Sequence, residues 1–166
     1  MRERGILLDL GCGNGQFSES FFRYGYEVTL VDKNEVLSEA ENNFKQIKDS
    51  GFKTVKVSIE DFVFEDSYDG IIMSNVLPFV KDKSDIQRIV RRAFEKLNDG
   101  SFLFFTVFGL QDEWNGKYPN MTFCSKEEAS DILEKSPYFL SEDYGRGSTM
   151  KGDIKTWHIF HLLYVR

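Results

Sequence analysis

Cysteine is nearly absent. Cys12 and Cys124 are the only two in 166 residues, far apart and in no C-x-x-C spacing, which excludes a disulfide scaffold and a thiolate zinc site. No metal-ligand cluster is visible elsewhere in the chain. Both thiols are expected to be reduced, in a cytoplasmic protein, with Cys12 a small side chain packed inside a turn. Proline is scarce as well, three in all, and with 41% hydrophobic residues this suits a packed globule rather than a disordered tail. A basic surplus is also missing. Twenty-one Lys and Arg against 27 Asp and Glu leave a net charge of −6, so a nucleic-acid partner, which needs clustered cations, is not expected. No apolar run approaches a membrane span and no signal core is seen, so no membrane partner is expected either.

What is present is alternation. Strand-like and helix-like segments follow one another from residue 1 to 166 without a linker or a repeat, which predicts a single α/β domain on a parallel sheet. Ile6–Leu10 reads as the first strand, Gln16–Tyr24 as a helix with Phe17, Phe21 and Tyr24 on one side, and Glu27–Val31 as the second strand. Val36, Leu37, Ala40, Phe44 and Ile47 then recur at helical spacing. Thr54–Ile59, Tyr68–Ser74 and Ser101–Phe108 are the next strands. Between the last two, Ser84 and Gln87 read as a capping box for a helix, and Ser125 with Glu128 as another. Arg88, Arg91 and Arg92 lie on the solvated face of the first of these helices. Tyr138–Tyr144 and Thr156–Val165 have no helix between them, only the glycine-rich segment Gly145–Asp153, so they should pair as a hairpin.

The chemistry starts at Leu7-Leu8-Asp9-Leu10-Gly11-Cys12-Gly13-Asn14-Gly15. This is a buried strand opening through a glycine turn toward a helix, whose free amides and positive end face whatever occupies the turn. A second acid, Asp32, ends the neighbouring strand, where a carboxylate can accept two hydrogen bonds from a ribose diol. These parts make a nucleoside-binding crevice.

The ordered set of this glycine turn, Asp32 and Tyr68-Asp69-Gly70-Ile71-Ile72-Met73-Ser74-Asn75-Val76-Leu77 resembles the class I S-adenosylmethionine (SAM)-dependent methyltransferases over nearly the whole chain. The resemblance implies a doubly wound, Rossmann-like seven-stranded sheet of order 3-2-1-4-5-7-6, strand seven antiparallel, with helices on both faces. It implies SAM as cofactor. The turn of Gly11, Cys12, Gly13 and Gly15 would lie against its methionine and ribose parts, and Asp9 would orient that turn or meet the amino group through water. Asp32, followed by Lys33, would hold the ribose hydroxyls. Ser74 and Asn75 would meet the methionine end, Ile59 or Phe62 would pack on the adenine ring, and Glu60 or Asp61 would take its amino group.

Two rivals share the fold. A dinucleotide dehydrogenase carries G-x-G-x-x-G, but the position of its last glycine is Gln16 here, and a turn preceded by Asp9 suits a cationic ligand better than a pyrophosphate. An adenine-amino methylase carries two adjacent prolines after strand four, and Asn75-Val76-Leu77-Pro78-Phe79 lacks them. A third alternative is a non-catalytic SAM-binding module that engages a protein.

Ligands of such sheets bind beyond the carboxyl ends of the parallel strands. The segment after strand five and the hairpin residues Lys151, Lys155, Thr156, Trp157 and His158 fall at that edge, and Trp114, Tyr118, Lys151 and Trp157 are expected to bind the methyl acceptor. The pieces Phe108-Gly109, Asp112, Trp114-Asn115 and Lys151-Gly152 through Trp157-His158 look most like the tellurite-resistance-type branch, which implies a small-molecule acceptor. His158 is the candidate general base, since its ordinary pKa suits neutral pH. Family members also carry one or two helices before strand one that close the cofactor site. Here the chain begins almost at the strand, which leaves three readings open: a lid supplied by a partner subunit in a homodimer, an open site of weak affinity, or a shortened chain.

Overall fold

A strand that is apolar along nearly its whole length needs a layer on each face. The computed structural model, which describes residues 5–48 and 50–166, gives the first strand that setting. In chain order the strands are β1 (Ile6–Leu10), β2 (Glu27–Asp32), β3 (Phe52–Lys56), β4 (Tyr68–Met73), β5 (Leu97–Gly109), β6 (Phe123–Cys124), β7 (Phe139–Ser148) and β8 (Ile154–Val165). The helices are α1 (Glu19–Arg23), α2 (Val36–Ile47), α3 (Lys83–Glu95) and α4 (Lys126–Ser130), with a 3-10 turn at Leu77–Phe79. Among the described residues no helix is long and apolar enough to cross a membrane.

The sheet runs β3-β2-β1-β4-β5-β8-β7, with β8 antiparallel to both neighbours. This is the expected order, β7 and β8 being the sixth and seventh strands. The short β6 is an addition to it; it pairs parallel with β5 at Phe108 and Gly109, off the main path. Leu8, Leu10, Ile71, Met73, Leu103 and Phe105 pack with the apolar faces of α3 and α4 on one side. Leu7, Val28, Leu30 and Ile72 pack with Phe22 and Phe44 on the other. Each such side chain removed from water contributes about 1.5–3 kcal/mol.

Several local expectations are corrected. The helix after the glycine turn is Glu19–Arg23, not Gln16–Tyr24, because Gly13 and Gly15 hold positive φ and keep residues 13–18 in turns. Its buried residue is therefore Phe22, while Tyr24 is exposed. Phe17 and Phe21 instead stack on Phe104 and Phe102, with centroids 5.2 and 5.7 Å apart. Strand three begins at Phe52 and ends at Lys56; Ile59 and Phe62 have left the sheet for the core. The cap of α3 is Asp82, whose carboxylate accepts from the Asp85 amide at 2.9 Å, and the Ser84 hydroxyl donates to Asp82. An ionised oxygen outcompetes a hydroxyl there. The Ser125–Glu128 box on α4 is present as expected.

The hairpin strands are longer than their sequence suggests, and only residues 149–153 turn. Gly145 lies opposite Trp157 in the register, and a Cβ on Gly147 would sit 3.2 Å from the Trp157 ring. Gly147 thus makes room for the Trp157 ring, and both glycines lie in a strand instead of a loop.

Candidate active site

β1, β2, β4 and β5 all end at one edge, and there the chain builds a crevice. The Val31 carbonyl accepts from both Gly11 N–H (2.7 Å) and Cys12 N–H (2.9 Å), which lifts the chain off β1. Gly11 takes φ 73°, and a Cβ on it would lie 2.2 Å from Val76 Cγ2. Only glycine meets both demands. Gly13 N–H then donates to Asp32 Oδ2 at 3.0 Å, while Asp32 Oδ1 accepts from Asn34 N–H at 2.9 Å. The acid at the tip of β2 thus braces the turn as well as facing it. Cys12 is buried within the turn, and burial, aided by Asp9 and Asp32, pushes its thiol pKa up, so it stays protonated.

Asp9 lies beneath the turn with 1% of its surface exposed. Burial raises its carboxyl to about 7; contact with the Ser18 hydroxyl opposes the rise and the charge of Asp32 adds to it. Asp9 Oδ2 has no hydrogen-bond partner among the described residues. A buried carboxyl oxygen short of a donor beside an open turn marks a place for a donor-bearing ligand.

At the end of β4, Ser74 is half-buried and Asn75 holds φ 55°, uncommon for a residue with a side chain. Thr106 on β5 fixes it: Asn75 N–H donates to the Thr106 oxygen at 2.7 Å, and the Thr106 hydroxyl donates to Asn75 Oδ1 at 3.0 Å. Lys33 is exposed beyond β2. Ile59 is 6% exposed and belongs to the core, Glu60 is half-buried, and Asp61 is turned back onto the Ser58 hydroxyl at 2.8 Å.

The opposite wall joins the segment after β5 to the hairpin. Trp114 packs on Trp157 and on Tyr118, each at 5.5 Å between centroids, and reaches Phe79 at 6.4 Å. Between Asn75 and the hairpin lies an open groove of about 420 Å³, lined also by Asp143, Arg146, Trp157 and Ile159. The hairpin tip carries exposed Lys151, and Met150 beside it comes within 4 Å of where a Gly13 side chain would begin. So the tip returns to the glycine turn.

His158 sits differently from expectation. It is 6% exposed and packed against Gly109, with Nδ1 accepting from Gln111 N–H at 3.1 Å and Nε2 at 3.0 Å from Glu142. Both ring nitrogens are thereby engaged within the protein.

Sequence reasoning puts Lys155 and Asp112 near this edge but does not join them. Lys155 is 2% and Asp112 3% exposed, and their side chains pair at 2.5 Å. Burial lowers the Lys155 pKa while Asp112 pulls it back up. The available signal is a lysine two residues from Trp157, hence on the same strand face as a row of apolar side chains.

A methyltransferase domain family model matches residues 2–146. YqeM of Bacillus subtilis, named as a methyltransferase, is 29% identical over 134 residues, covering 76% of this chain and 51% of that protein. TehB of Haemophilus influenzae, named as an S-adenosyl-L-methionine-dependent methyltransferase, is 29% identical over 122 residues, covering 73% of this chain and 42% of that protein. The chain spans about half the length of these curated relatives. Among solved structures, TehB from Haemophilus influenzae superposes with a TM-score of 0.81 at 21% identity, over 99% of this chain and 58% of that one. The N-methyltransferase NodS from Bradyrhizobium japonicum, in complex with S-adenosyl-L-homocysteine, superposes at 0.66 and 17% identity, over 95% and 78%.

Proposed function

The chain belongs to the methyltransferase domain family, among the class I SAM-dependent enzymes related to TehB, and on that basis we propose that it transfers a methyl group from SAM to a small-molecule acceptor. The observation that carries this is the unit formed by Gly13 and Asp32 above Asp9, whose free oxygen lies beneath an open, positive-φ turn. These residues fit SAM: a cradle that side chains would fill, a carboxylate for hydroxyls, and a buried acid for an ammonium.

In this proposal the turn of Gly11, Cys12, Gly13 and Gly15 lies against the methionine and ribose parts, its glycines letting the backbone approach closely while its own amides are held by Val31, Asp32 and Cys12. Asp32 accepts from the ribose hydroxyls with its remaining lone pairs, and Lys33 flanks it at the rim. Asp9 meets the ammonium directly or through water. Ser74 and the constrained Asn75 position the methionine end, and Ile59, Glu60 and Asp61 line the adenine side. SAM supplies a methyl carbon made electrophilic by its positive sulfur. The protein's task is alignment of the acceptor with that carbon, which contributes up to ~7–11 kcal/mol. Trp114, Tyr118, Trp157 and Lys151 form the acceptor side. His158, with both nitrogens engaged, acts as a positioning residue between Gln111 and Glu142.

Calorimetric titration with SAM, SAH and NADH, followed by assay of SAH release with a panel of thiols, phenols and carboxylic acids, tests the proposal. Saturable binding of SAM and SAH with SAH release is expected. Binding of NADH instead would overturn it, and SAM binding with no turnover on any acceptor would favour a non-catalytic module.

A further inference from the structure

Lys155 Nζ lies 3.6 Å from the centroid of Trp157, 4.1 Å from Trp114 and 5.0 Å from Phe108, while its fourth neighbour is Asp112 Oδ1 at 2.5 Å. Asp112 uses its other capacity on the backbone: Oδ1 also accepts from Trp114 N–H at 3.0 Å, and Oδ2 accepts from His158 N–H at 3.1 Å. Further bonds run the same way. Glu113 N–H donates to the Thr156 carbonyl (3.1 Å), Thr156 N–H to Glu113 Oε2 (2.8 Å), and Gln111 N–H to His158 Nδ1. The segment after β5 is stitched to the start of β8, and the ion pair lies at the centre of the seam.

A buried ion pair is a weak source of net stability, because desolvation offsets the attraction. It is an effective selector of one arrangement, since Asp112 without the ammonium would be a buried unpaired charge, while Lys155 is held by the ring faces of Phe108, Trp114 and Trp157 as well as by the carboxylate. We propose that Lys155 and Asp112 are positioning residues for methyl transfer: their pair clasps Trp114 against Trp157 and so builds the acceptor wall facing Asn75. The clasp rests on the methyl-transfer proposal for the acceptor it serves. It does not touch the cofactor crevice, which is formed by the ends of β1, β2 and β4.

Trp114 and Trp157 are the only tryptophans in the chain, so emission excited selectively at tryptophan, apart from the tyrosines, reports on the clasp. In the full chain, Lys155→Met and Asp112→Asn should each give red-shifted emission and stronger quenching by acrylamide. SAM affinity by calorimetry should stay within about twofold, as for separated sites. Asp112→Asn keeps an acceptor oxygen for the Trp114 amide and tests the charge if Lys155→Met does not fold. Unchanged emission and quenching in the variants would overturn the proposal. So would SAM affinity lost in step with the emission change, or loss of fold in both variants, because the pair would then support the whole domain. Wild-type protein that fails to bind SAM would sink the methyl-transfer proposal instead, leaving the emission result to stand on its own.

Discussion

Asp32 Oδ2 accepts the Gly13 amide at 3.0 Å, so the tip of β2 and the glycine turn are one hydrogen-bonded unit. Asp32→Ala should therefore weaken SAM in two ways, by removing charge-assisted bonds to the ligand and by loosening the turn. The net loss should be ~1.5–3 kcal/mol, so the affinity should fall on the order of 10–100-fold. Calorimetry showing the wild-type affinity would remove Asp32 from the cofactor site.

Asp9 makes folding depend on pH. Its folded carboxyl is raised from 3.8 to about 7, so between these values the native state retains a proton that the unfolded chain has released. Stability fully present below pH 4 is lost as pH rises toward 7, at ~1.4 kcal/mol per unit at most. Asp9→Asn, which mimics the protonated form, should match wild type near pH 3, where Asp9 is protonated in both states, and exceed its stability near pH 8. Urea unfolding at both values measures this, and parallel curves for the two proteins would contradict it.

Thr106 holds Asn75 in its left-handed conformation by two hydrogen bonds. Thr106→Val strands the Asn75 amide and should cost ~1–3 kcal/mol of stability, with a matching loss in SAM affinity. Thr106→Ser should restore both. If the valine variant binds SAM as tightly as wild type, Asn75 does not depend on this brace.

His158→Ala separates structure from proton transfer. Loss of the contacts to Gln111 and Glu142 should lower stability by about 2–3 kcal/mol. Turnover measured well below the melting transition should fall by less than tenfold. A general base would show the opposite pattern, a rate loss of ~10²–10⁴-fold with stability kept.

Much of this protein is legible along the chain because it is local. The glycine turn, the acid closing the second strand, the α4 capping box and the alternation of segments each depend on residues a few positions apart. The order of the motifs carries the resemblance to the class I methyltransferases, and it is that resemblance which implies the strand order. Other features depend on partners brought together by folding. The Gly145–Gly147 stretch reads as loop until Trp157 is seen beside it. The helix after the turn is cut to Glu19–Arg23 by backbone angles that composition leaves open. His158 looks free until Gln111 and Glu142 occupy its nitrogens. Lys155 and Asp112 are 43 residues apart; strand spacing hints at the face Lys155 occupies but not at the partner it meets there. Propensity and periodicity act within a turn or a strand, so the order of elements could be read from the chain alone. The state of a buried polar group depends on desolvation and on which partner lies opposite, and only the tertiary structure decides that.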